Sequence, residues 1–208
     1  MPDILVLYYS RNGSVRALAE SIASGIDSVA GSQARLRTVP PVAAITQTAA
    51  PPVPESGAPY VEKRDLAECI GMALGSPTRF GNMAAPMKYF WDTTGAEWQN
   101  GTLIGKPACV FTSSTSQHGG QESTLLTMMV PLLHHGMLIL GLPYSESALA
   151  STVGGGGPYG ASHVASNSGN NGGHHGKAGA GAVLTDDEKH LARALGKRLA
   201  VTALKLAQ

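Results

Sequence analysis

A polar segment near the centre of the chain, Thr78-Arg79-Phe80-Gly81-Asn82-Met83, combines side chains that can hold a flat ligand. It follows an apolar run at residues 70–75, which is typical of a buried strand. An aromatic ring can stack on a flat molecule, while arginine and amide groups supply hydrogen bonds. Two similar junctions between an apolar run and a polar loop lie at residues 5–15 and 110–120. If all three loops lie at one end of a parallel sheet, they form one pocket.

The first of these loops has the composition of a phosphate site. Ser10-Arg11-Asn12-Gly13 interrupts the first apolar run, and Ser14 is the expected N-cap of the helix that follows. Hydroxyls, backbone N–H groups and a helix N-terminus together attract a phosphate. The loop contains neither the GxxxxGK of a nucleotide-hydrolysing P-loop nor the GxGxxG of a dinucleotide site. An ordinary capped turn has the same composition, so both interpretations stay open on the residues alone.

Several catalytic chemistries need residues that these loops do not contain. A CxxxxxR phosphatase loop is excluded, because Gly75 and Thr115 stand six positions after Cys69 and Cys109. A phospho-receiver needs carboxylates after the first strand, and residues 8–15 contain none. No G-x-S-x-G nucleophile elbow is present. The pocket therefore suits a cofactor that carries the chemistry itself, and FMN fits with one phosphate, a polyol chain and a flat tricycle.

Paired histidines at His134-His135 and His174-His175 raise the question of a metal site. Neighbouring side chains on a helix diverge by about 100°, which makes adjacent histidines poor chelators. No carboxylate stands at a suitable spacing, so we expect no catalytic metal. His174 and His175, with His163 upstream, could hold an adventitious ion. His134 and His135 are also explained as C-terminal helix residues favoured by the dipole.

The composition limits the partners of the chain. Its 208 residues suffice for one α/β domain but not for two. A formal net charge of +1 without a Lys/Arg cluster gives no electrostatic reason to expect nucleic acid or an anionic membrane. No apolar segment approaches the ~20 residues of a membrane span, and we expect neither an integral membrane segment nor a signal peptide. Cys69 and Cys109 are expected to be buried free thiols in a cytoplasmic protein.

The elements that would hold these loops alternate between strands and helices, which predicts an α/β fold with a doubly wound parallel sheet and helices on both faces. One domain over residues 1–208 is expected, with a Pro-rich excursion at 40–63 and a Gly-rich loop at 151–181. Thr185-Asp186-Asp187-Glu188 predicts a capping box at the start of the last helix. The predicted strands cover residues 4–9, 34–39, 69–74, 108–111 and 137–140, and the predicted helices cover 15–26, 84–92, 122–134 and 185–206.

The chain resembles the WrbA family of flavodoxin-like NAD(P)H:quinone oxidoreductases. The resemblance rests on Val6-Leu7-Tyr8-Tyr9-Ser10, on Ser76-Pro77-Thr78-Arg79-Phe80-Gly81-Asn82-Met83, on His118-Gly119-Gly120-Gln121-Glu122, on His134-His135-Gly136-Met137 and on Pro158-Tyr159-Gly160-Ala161. It implies a flavodoxin-like sheet of five strands in the order 2-1-3-4-5. It also implies FMN as the cofactor, NADH or NADPH as co-substrate, and two-electron reduction of quinones by a ping-pong mechanism. A cytoplasmic homotetramer, built as a dimer of dimers with pockets near subunit contacts, is implied as well.

The same resemblance assigns roles to individual residues. Phe80, Trp98 and His135 would form the walls over which nicotinamide and quinone stack in turn, and His135 would be catalytic by bonding a quinone oxygen or relaying a proton. Three sets of residues would bind FMN. The phosphate would be held by Ser10, Arg11, Asn12, Gly13, Ser14 and Val15, and the ribityl chain and ring by Pro77, Thr78, Arg79, Phe80, Gly81, Asn82 and Met83. The pyrimidine side of the ring would be held by Ser113, Ser114, Thr115, Ser116, Gln117, His118 and Gly119.

Two features depart from the family pattern, and two other functions remain as alternatives. Asn12 stands where the family commonly has an aromatic residue, and the segment Ser166 to Gly181 is longer than usual. A flavodoxin-type electron carrier would be a monomer, usually with an acidic surface, which the near-neutral charge disfavours. A regulatory binding protein is the other alternative, although the composition gives no support for DNA contact.

Overall fold

A parallel sheet at the centre of the molecule carries helices on both faces. The computed structural model describes residues 2–42, 57–165 and 183–207. The strands are β1 (Asp3–Tyr8), β2 (Gln33–Thr38), β3 (Gly71–Pro77), β4 (Pro107–Ser114), β5 (Leu138–Ile139) and β6 (Ala161–Val164). The helices are α1 (Ser14–Asp27), α2 (Lys63–Glu68), α3 (Ala85–Asp92), α4 (Gly95–Gln99), α5 (Gln121–His134), α6 (Ala148–Ser151) and α7 (Asp186–Leu206). The sheet order β2-β1-β3-β4-β5 confirms the predicted order, and β6 also pairs with β4.

The central strands are apolar because helices cover both of their faces. All residues of β3 and β4 are buried. Along β1, Ile4 and Val6 pack in the cluster that contains α1 and α7 residues, whereas Leu5 and Leu7 pack with residues of α3 and α5. Successive strand side chains point to opposite faces, so a continuous apolar run fills both layers of the core.

Two glycines allow α1 and α7 to cross in direct backbone contact. A Cβ atom on Gly25 would lie 2.1 Å from the carbonyl oxygen of Arg193, and one on Gly196 would lie 2.1 Å from that of Ile22. Any side chain at either position would push the helices apart. This close crossing holds α7 against α1 on one face of the sheet, and it therefore sets the position of the first turn of α7.

The fifth strand of the sheet is divided between two segments. β5 pairs with Pro107 and Ala108 at the start of β4, and β6 pairs with residues 111–114 at its end. The prediction of a Gly-rich loop over residues 151–181 is therefore wrong at residues 161–164. Four residues that follow a glycine run show too little alternation to be recognised, and pairing with β4 makes them a strand.

The Pro-rich excursion predicted over residues 40–63 can be compared with the structure only at its ends. Tyr60 forms an isolated parallel bridge with Thr38, and the short helix α2 begins at Lys63. Residues 43–56 and 166–182, with His174 and His175, lie outside the described residues. The assignment of residues 1–208 to one domain stays a prediction.

The structure bears on two further expectations, one about the cysteines and one about membrane-spanning segments. Cys69 and Cys109 are buried and free, as predicted, and burial raises the pKa of both thiols. Among the helices in the described part of the chain, none combines the length and apolarity that a bilayer crossing requires.

Candidate functional site

Three polar loops leave the carboxyl ends of β1, β3 and β4, which are neighbours in the sheet. The loops contact one another at their bases. Tyr9 N–H donates to the carbonyl of Gly75 at 2.9 Å, and Thr78 N–H donates to the carbonyl of Ser113 at 2.9 Å. The hydroxyls of Thr78 and Thr124 form a hydrogen bond of 2.7 Å. The three junctions identified in the sequence therefore lie at one edge of the sheet, where open α/β sheets bind ligands.

The first loop directs the start of α1 towards this edge. The N-cap is Gly13, whose φ of 90° lies in the left-handed region, and α1 begins at Ser14. The prediction of Ser14 as the N-cap is therefore wrong, because Gly13 makes the turn without a side-chain cap. The backbone N–H of Arg16 donates to Ser10 Oγ at 3.3 Å. The first turn contains no carboxylate, so the positive end of the helix dipole favours an anion there.

The second loop holds Phe80 in a strained and exposed position. The N–H of Arg79 donates to the carbonyl of Asn82 at 2.7 Å, and the N–H of Asn82 donates back at 3.1 Å. Between them, Phe80 has a φ of 53° and Gly81 a φ of 77°. A left-handed backbone at a bulky residue costs roughly 1–2 kcal/mol, and the ring of Phe80 is fully exposed. Strain and exposure in the same aromatic residue point to a functional role.

Residues on either side of this turn are anchored in the core. Pro77 and Met83 are buried, and Met83 packs in the cluster with α3 and α5. The N–H of Ala84 donates to Ser76 Oγ at 2.8 Å, which closes the base of the loop. Rigid anchoring at both ends leaves only the tip of the loop free to meet a ligand.

The third loop begins later than the sequence suggested, because β4 extends to Ser114. Ser113 and Ser114 are buried, whereas the side chains of residues 115–118 are exposed. The loop is closed by a hydrogen bond of 3.1 Å from Gly119 N–H to the carbonyl of Ser116. Gly120, with a φ of 91°, then leads into α5.

A cavity of about 380 Å³ adjoins the third loop. Its lining includes Gln117, His118, Gly154, Gly156 and Ser162. The glycines and Ser162 were not predicted as site residues. The run of four glycines at 154–157 was the available signal, since such a run lets the backbone approach another segment closely.

Trp98 and His135 lie at the other end of α5 from Phe80. Gly81 packs against Ser123 in the first turn of α5, where an added Cβ would lie 2.9 Å from Ser123 Oγ. His135 follows the last residue of this 14-residue helix, which is about 21 Å long. Within one chain the structure does not bring Phe80 together with Trp98 and His135. A wall formed by all three residues stays a prediction that requires more than one chain.

A second cavity, of about 470 Å³, lies at that far end. Trp91, Thr94, Trp98, His134 and His135 are among its lining residues. The indole Nε1 of Trp98 donates to the backbone carbonyl of His134 at 2.9 Å. Trp98 is 55% exposed, which leaves most of its apolar surface free for a further contact.

His135 is buried and uncharged near neutral pH. It is 7% exposed, and burial lowers its pKa from the usual 6.5. The hydroxyl of Thr94 donates to the carbonyl of Trp91 at 2.7 Å, so it accepts the 3.0 Å hydrogen bond from Nε2–H of His135. His134 is the exposed member of the pair. Of the two histidines, His134 therefore offers its imidazole to the cavity surface more readily.

The sheet order and the three loops at its carboxyl edge define a flavodoxin-like α/β protein. A flavodoxin, WrbA-like protein from Agrobacterium tumefaciens superposes with a TM-score of 0.65 at 18% identity, covering 99% of both chains. A flavodoxin from the domain Archaea gives a TM-score of 0.60 at 19% identity, covering 97% of this chain and 99% of that one. Both likenesses concern the fold alone.

The sequence itself matches the model of the NADPH-dependent FMN reductase family over residues 2–150, and the chain belongs to this family. A protein from Chromohalobacter salexigens named NAD(P)H dehydrogenase (quinone) is 42% identical over the full length of both chains. One of the same name from Geobacter sulfurreducens is 43% identical over 80% of this chain and 86% of its own length. These matches confirm the resemblance found in the sequence motifs.

Proposed function

We propose that this chain is an FMN-dependent NAD(P)H:quinone oxidoreductase that transfers two electrons by a ping-pong mechanism. The observation that carries the proposal is the meeting of three polar loops at the carboxyl edge of the sheet, the second of which carries the strained, exposed Phe80. The names of the full-length relatives support it. A cytoplasmic location is part of the proposal, because the nicotinamide co-substrates are available there.

The donor set at the carboxyl edge fits FMN. The loop from Ser10 to Val15, with its left-handed Gly13 and the start of α1, would hold the phosphate. The segments 77–83 and 113–119 would hold the ribityl chain and the ring through backbone groups and hydroxyls. When bound, FMN supplies the redox chemistry by accepting a hydride equivalent and passing the electrons to the quinone.

The protein residues would bind and orient the reactants. Phe80 offers an exposed ring on which nicotinamide or quinone can stack in turn, as a ping-pong mechanism requires. A catalytic role for His135 stays a prediction. With its Nε2–H bonded to Thr94 and its Nδ1 buried, His135 would act on a substrate only after a local rearrangement.

We also propose that the active form is a homotetramer. Leu126, Val130 and Leu133 lie on one face of α5 and are exposed, and Tyr89 and Trp98 are exposed on the neighbouring helices α3 and α4. Contiguous apolar surface of this kind marks an interface. A second copy seated on this face would bury it and would bring further side chains towards the first copy.

Titration of the purified chain with FMN tests the proposal. Bound FMN should be detected by quenching of flavin fluorescence, and the loaded protein should oxidise NADH or NADPH faster when benzoquinone is added. A protein that takes up no FMN would refute the proposal. A protein that binds FMN but oxidises neither nicotinamide would favour the electron-carrier alternative.

A further inference from the structure

Glu188 is a buried carboxylate that lies outside the three loops of the candidate site. It stands in the first turn of α7 and is 1% exposed. Its Oε1 accepts hydrogen bonds from the backbone N–H of Gly155 at 2.9 Å and of Val164 at 3.1 Å. Its Oε2 accepts from Thr185 N–H at 2.9 Å and from Nδ1 of His163 at 2.8 Å. Each oxygen of the carboxylate thus accepts two hydrogen bonds.

The helix cap accounts for only one of these contacts. In a capping box, the glutamate at the third helical position bonds the N-cap N–H, here that of Thr185. A glutamate in a capping box needs neither to be buried nor to contact a neighbouring loop or strand. The bonds to Gly155 and Val164 need a different explanation.

The donors keep this buried carboxyl group ionised. Burial acts to raise the pKa of Glu188, but hydrogen bonds from His163 and from the backbone of Thr185 and Gly155 outweigh it and lower the pKa to about 2. At neutral pH the carboxylate is therefore charged and acts as a strong acceptor.

One peptide group connects Glu188 to the third loop. The Gly154–Gly155 peptide donates its N–H to Glu188, and its carbonyl oxygen accepts from Nε2 of Gln117 at 3.2 Å. The plane of a peptide is rigid, so fixing its N–H also fixes the direction of its carbonyl. Gln117 belongs to the segment predicted to bind FMN, and both Gln117 and Gly154 line the cavity of about 380 Å³.

The glycine run at residues 154–157 packs closely against neighbouring segments, so the orientation of its peptide groups is fixed by these contacts. A Cβ on Gly155 would lie 2.1 Å from the carbonyl oxygen of Ser162, and one on Gly156 would lie 2.4 Å from Leu191 Cδ1. The N–H of Gly156 also donates to Ser162 Oγ at 2.7 Å. The segment is therefore held against β6 and α7 and has little freedom to turn the peptide by itself.

We propose that Glu188 is a positioning residue for the cofactor site, which orients Gln117 and the third loop through the Gly154–Gly155 peptide. This inference rests on the proposed function, because the ligand of the third loop is taken to be FMN. Glu188 does not touch the ligand. Its effect on Gln117 passes through the Gly154–Gly155 peptide.

The test compares FMN dissociation constants of the refolded apoproteins, measured by fluorescence quenching. Glu188→Gln keeps the shape of the side chain but replaces one acceptor oxygen by a donor, and it should weaken FMN binding about tenfold. Thr185→Ala is the matched control. It removes the hydroxyl that accepts from Glu188 N–H at 3.2 Å but leaves the Gly155 contact, so it should lower Tm and leave the FMN affinity within about twofold.

A double-mutant cycle separates positioning from general stability. In a Gln117→Ala background, Glu188→Gln should weaken FMN binding no further, because the connecting side chain is gone. Equal losses of affinity in both backgrounds, or a loss in Thr185→Ala that follows its Tm, would overturn the inference. A wild-type protein that fails to bind FMN contradicts the proposed function at the first step, before any variant is compared.

Hydrogen exchange gives a second measurement that does not depend on the folding of Glu188→Gln. Gln117→Ala should raise the exchange rate of the Gly155 amide about tenfold, because the peptide loses one of its two anchors. The Val164 amide, which is bonded to the same carboxylate oxygen, is the internal control and should not change. Unchanged exchange at Gly155 would overturn the coupling between the two residues.

Discussion

Trp98 donates its indole N–H to the backbone carbonyl of His134 at 2.9 Å, and this bond joins α4 to the last turn of α5. The bond orients an indole that remains 55% exposed. Trp98 and His134 both line the second cavity. This corner of the molecule is separated from Phe80 by the length of α5, so an oligomer is the simplest way to bring the two regions together.

Leu133→Glu should dissociate the proposed homotetramer and reduce quinone reductase activity in parallel. Leu133 is 58% exposed on the apolar face of α5, so a charge there costs little in the monomer but is unfavourable in a buried interface. We expect at least about a tenfold loss of affinity between chains. Sedimentation velocity and kcat/KM for benzoquinone, measured over the same range of protein concentrations, check both effects.

Val201→Glu is the matched control for this prediction. Val201 is an exposed apolar residue of α7, which packs on the opposite face of the sheet. This variant should sediment like the wild type. A Leu133→Glu protein that becomes monomeric and retains full activity would show that each chain carries a complete site.

Phe80→Asn should stabilise the protein and weaken substrate binding. Asparagine accepts the left-handed backbone at φ 53° more readily than phenylalanine does, and the exposed ring contributes no burial that would be lost. We expect a gain of about 1 kcal/mol in the free energy of unfolding, with a higher KM for the quinone. Urea denaturation and steady-state kinetics measure the two changes.

Tyr144→Asn supplies the comparison for Phe80→Asn. Tyr144 is another exposed aromatic residue, and it is not among the described residues with positive φ. Its substitution should bring no gain in stability. If Phe80→Asn destabilises the protein, the strain assigned to this turn does not exist.

Gly196→Ala should destabilise the protein by about 3 kcal/mol or more, because the new methyl group collides with the backbone of Ile22 at 2.1 Å. The matched substitution is Gly95→Ala in α4, where a Cβ meets no atom within 4 Å. Gly95→Ala should be neutral or slightly stabilising. Thermal and urea unfolding of both variants measure the difference, and similar stabilities would contradict the close crossing of α1 and α7.

Acid should remove a stabilising contribution from Glu188. Its pKa is lowered on folding from 4.5 to about 2, so the unfolded chain binds a proton in this range that the folded chain does not. The contribution, up to about 3 kcal/mol, is complete above pH 4.5 and is lost as the pH falls towards 2. Urea midpoints at a series of pH values should show a steeper acid loss for the wild type than for Glu188→Gln. Parallel curves would contradict the assigned pKa.

The sheet and its three loops could be predicted because their signals are local. Continuous apolar runs that end in hydroxyl- and glycine-rich segments mark doubly covered strands, and a parallel arrangement places the three loops at one edge. The capping box at Thr185 and Glu188 was predicted in the same way and is confirmed. The cofactor and substrate roles given to individual loop residues stay predictions.

Features that depend on distant contacts could not be predicted. The sequence shows two adjacent histidines, but only packing against Trp91 and Thr94, about 40 residues earlier in the chain, makes His135 the buried one. The burial of Glu188 depends on Gly155 and Val164, which lie 33 and 24 residues away along the chain. β6 likewise exists because β4 offers it an edge.

The division of the fifth strand affects how copies of the chain can meet. Strand addition needs a long open edge with unpaired backbone groups. On one side of the sheet the edge consists of two short pieces, β5 and β6, of two and four residues. On the other side β2 carries Arg35 and Arg37, which both pair with Asp65 of α2. Among the described residues, neither edge of the sheet offers a long, uncharged strand to which another strand could add. We therefore expect copies of the chain to associate through their helical faces and not edge to edge.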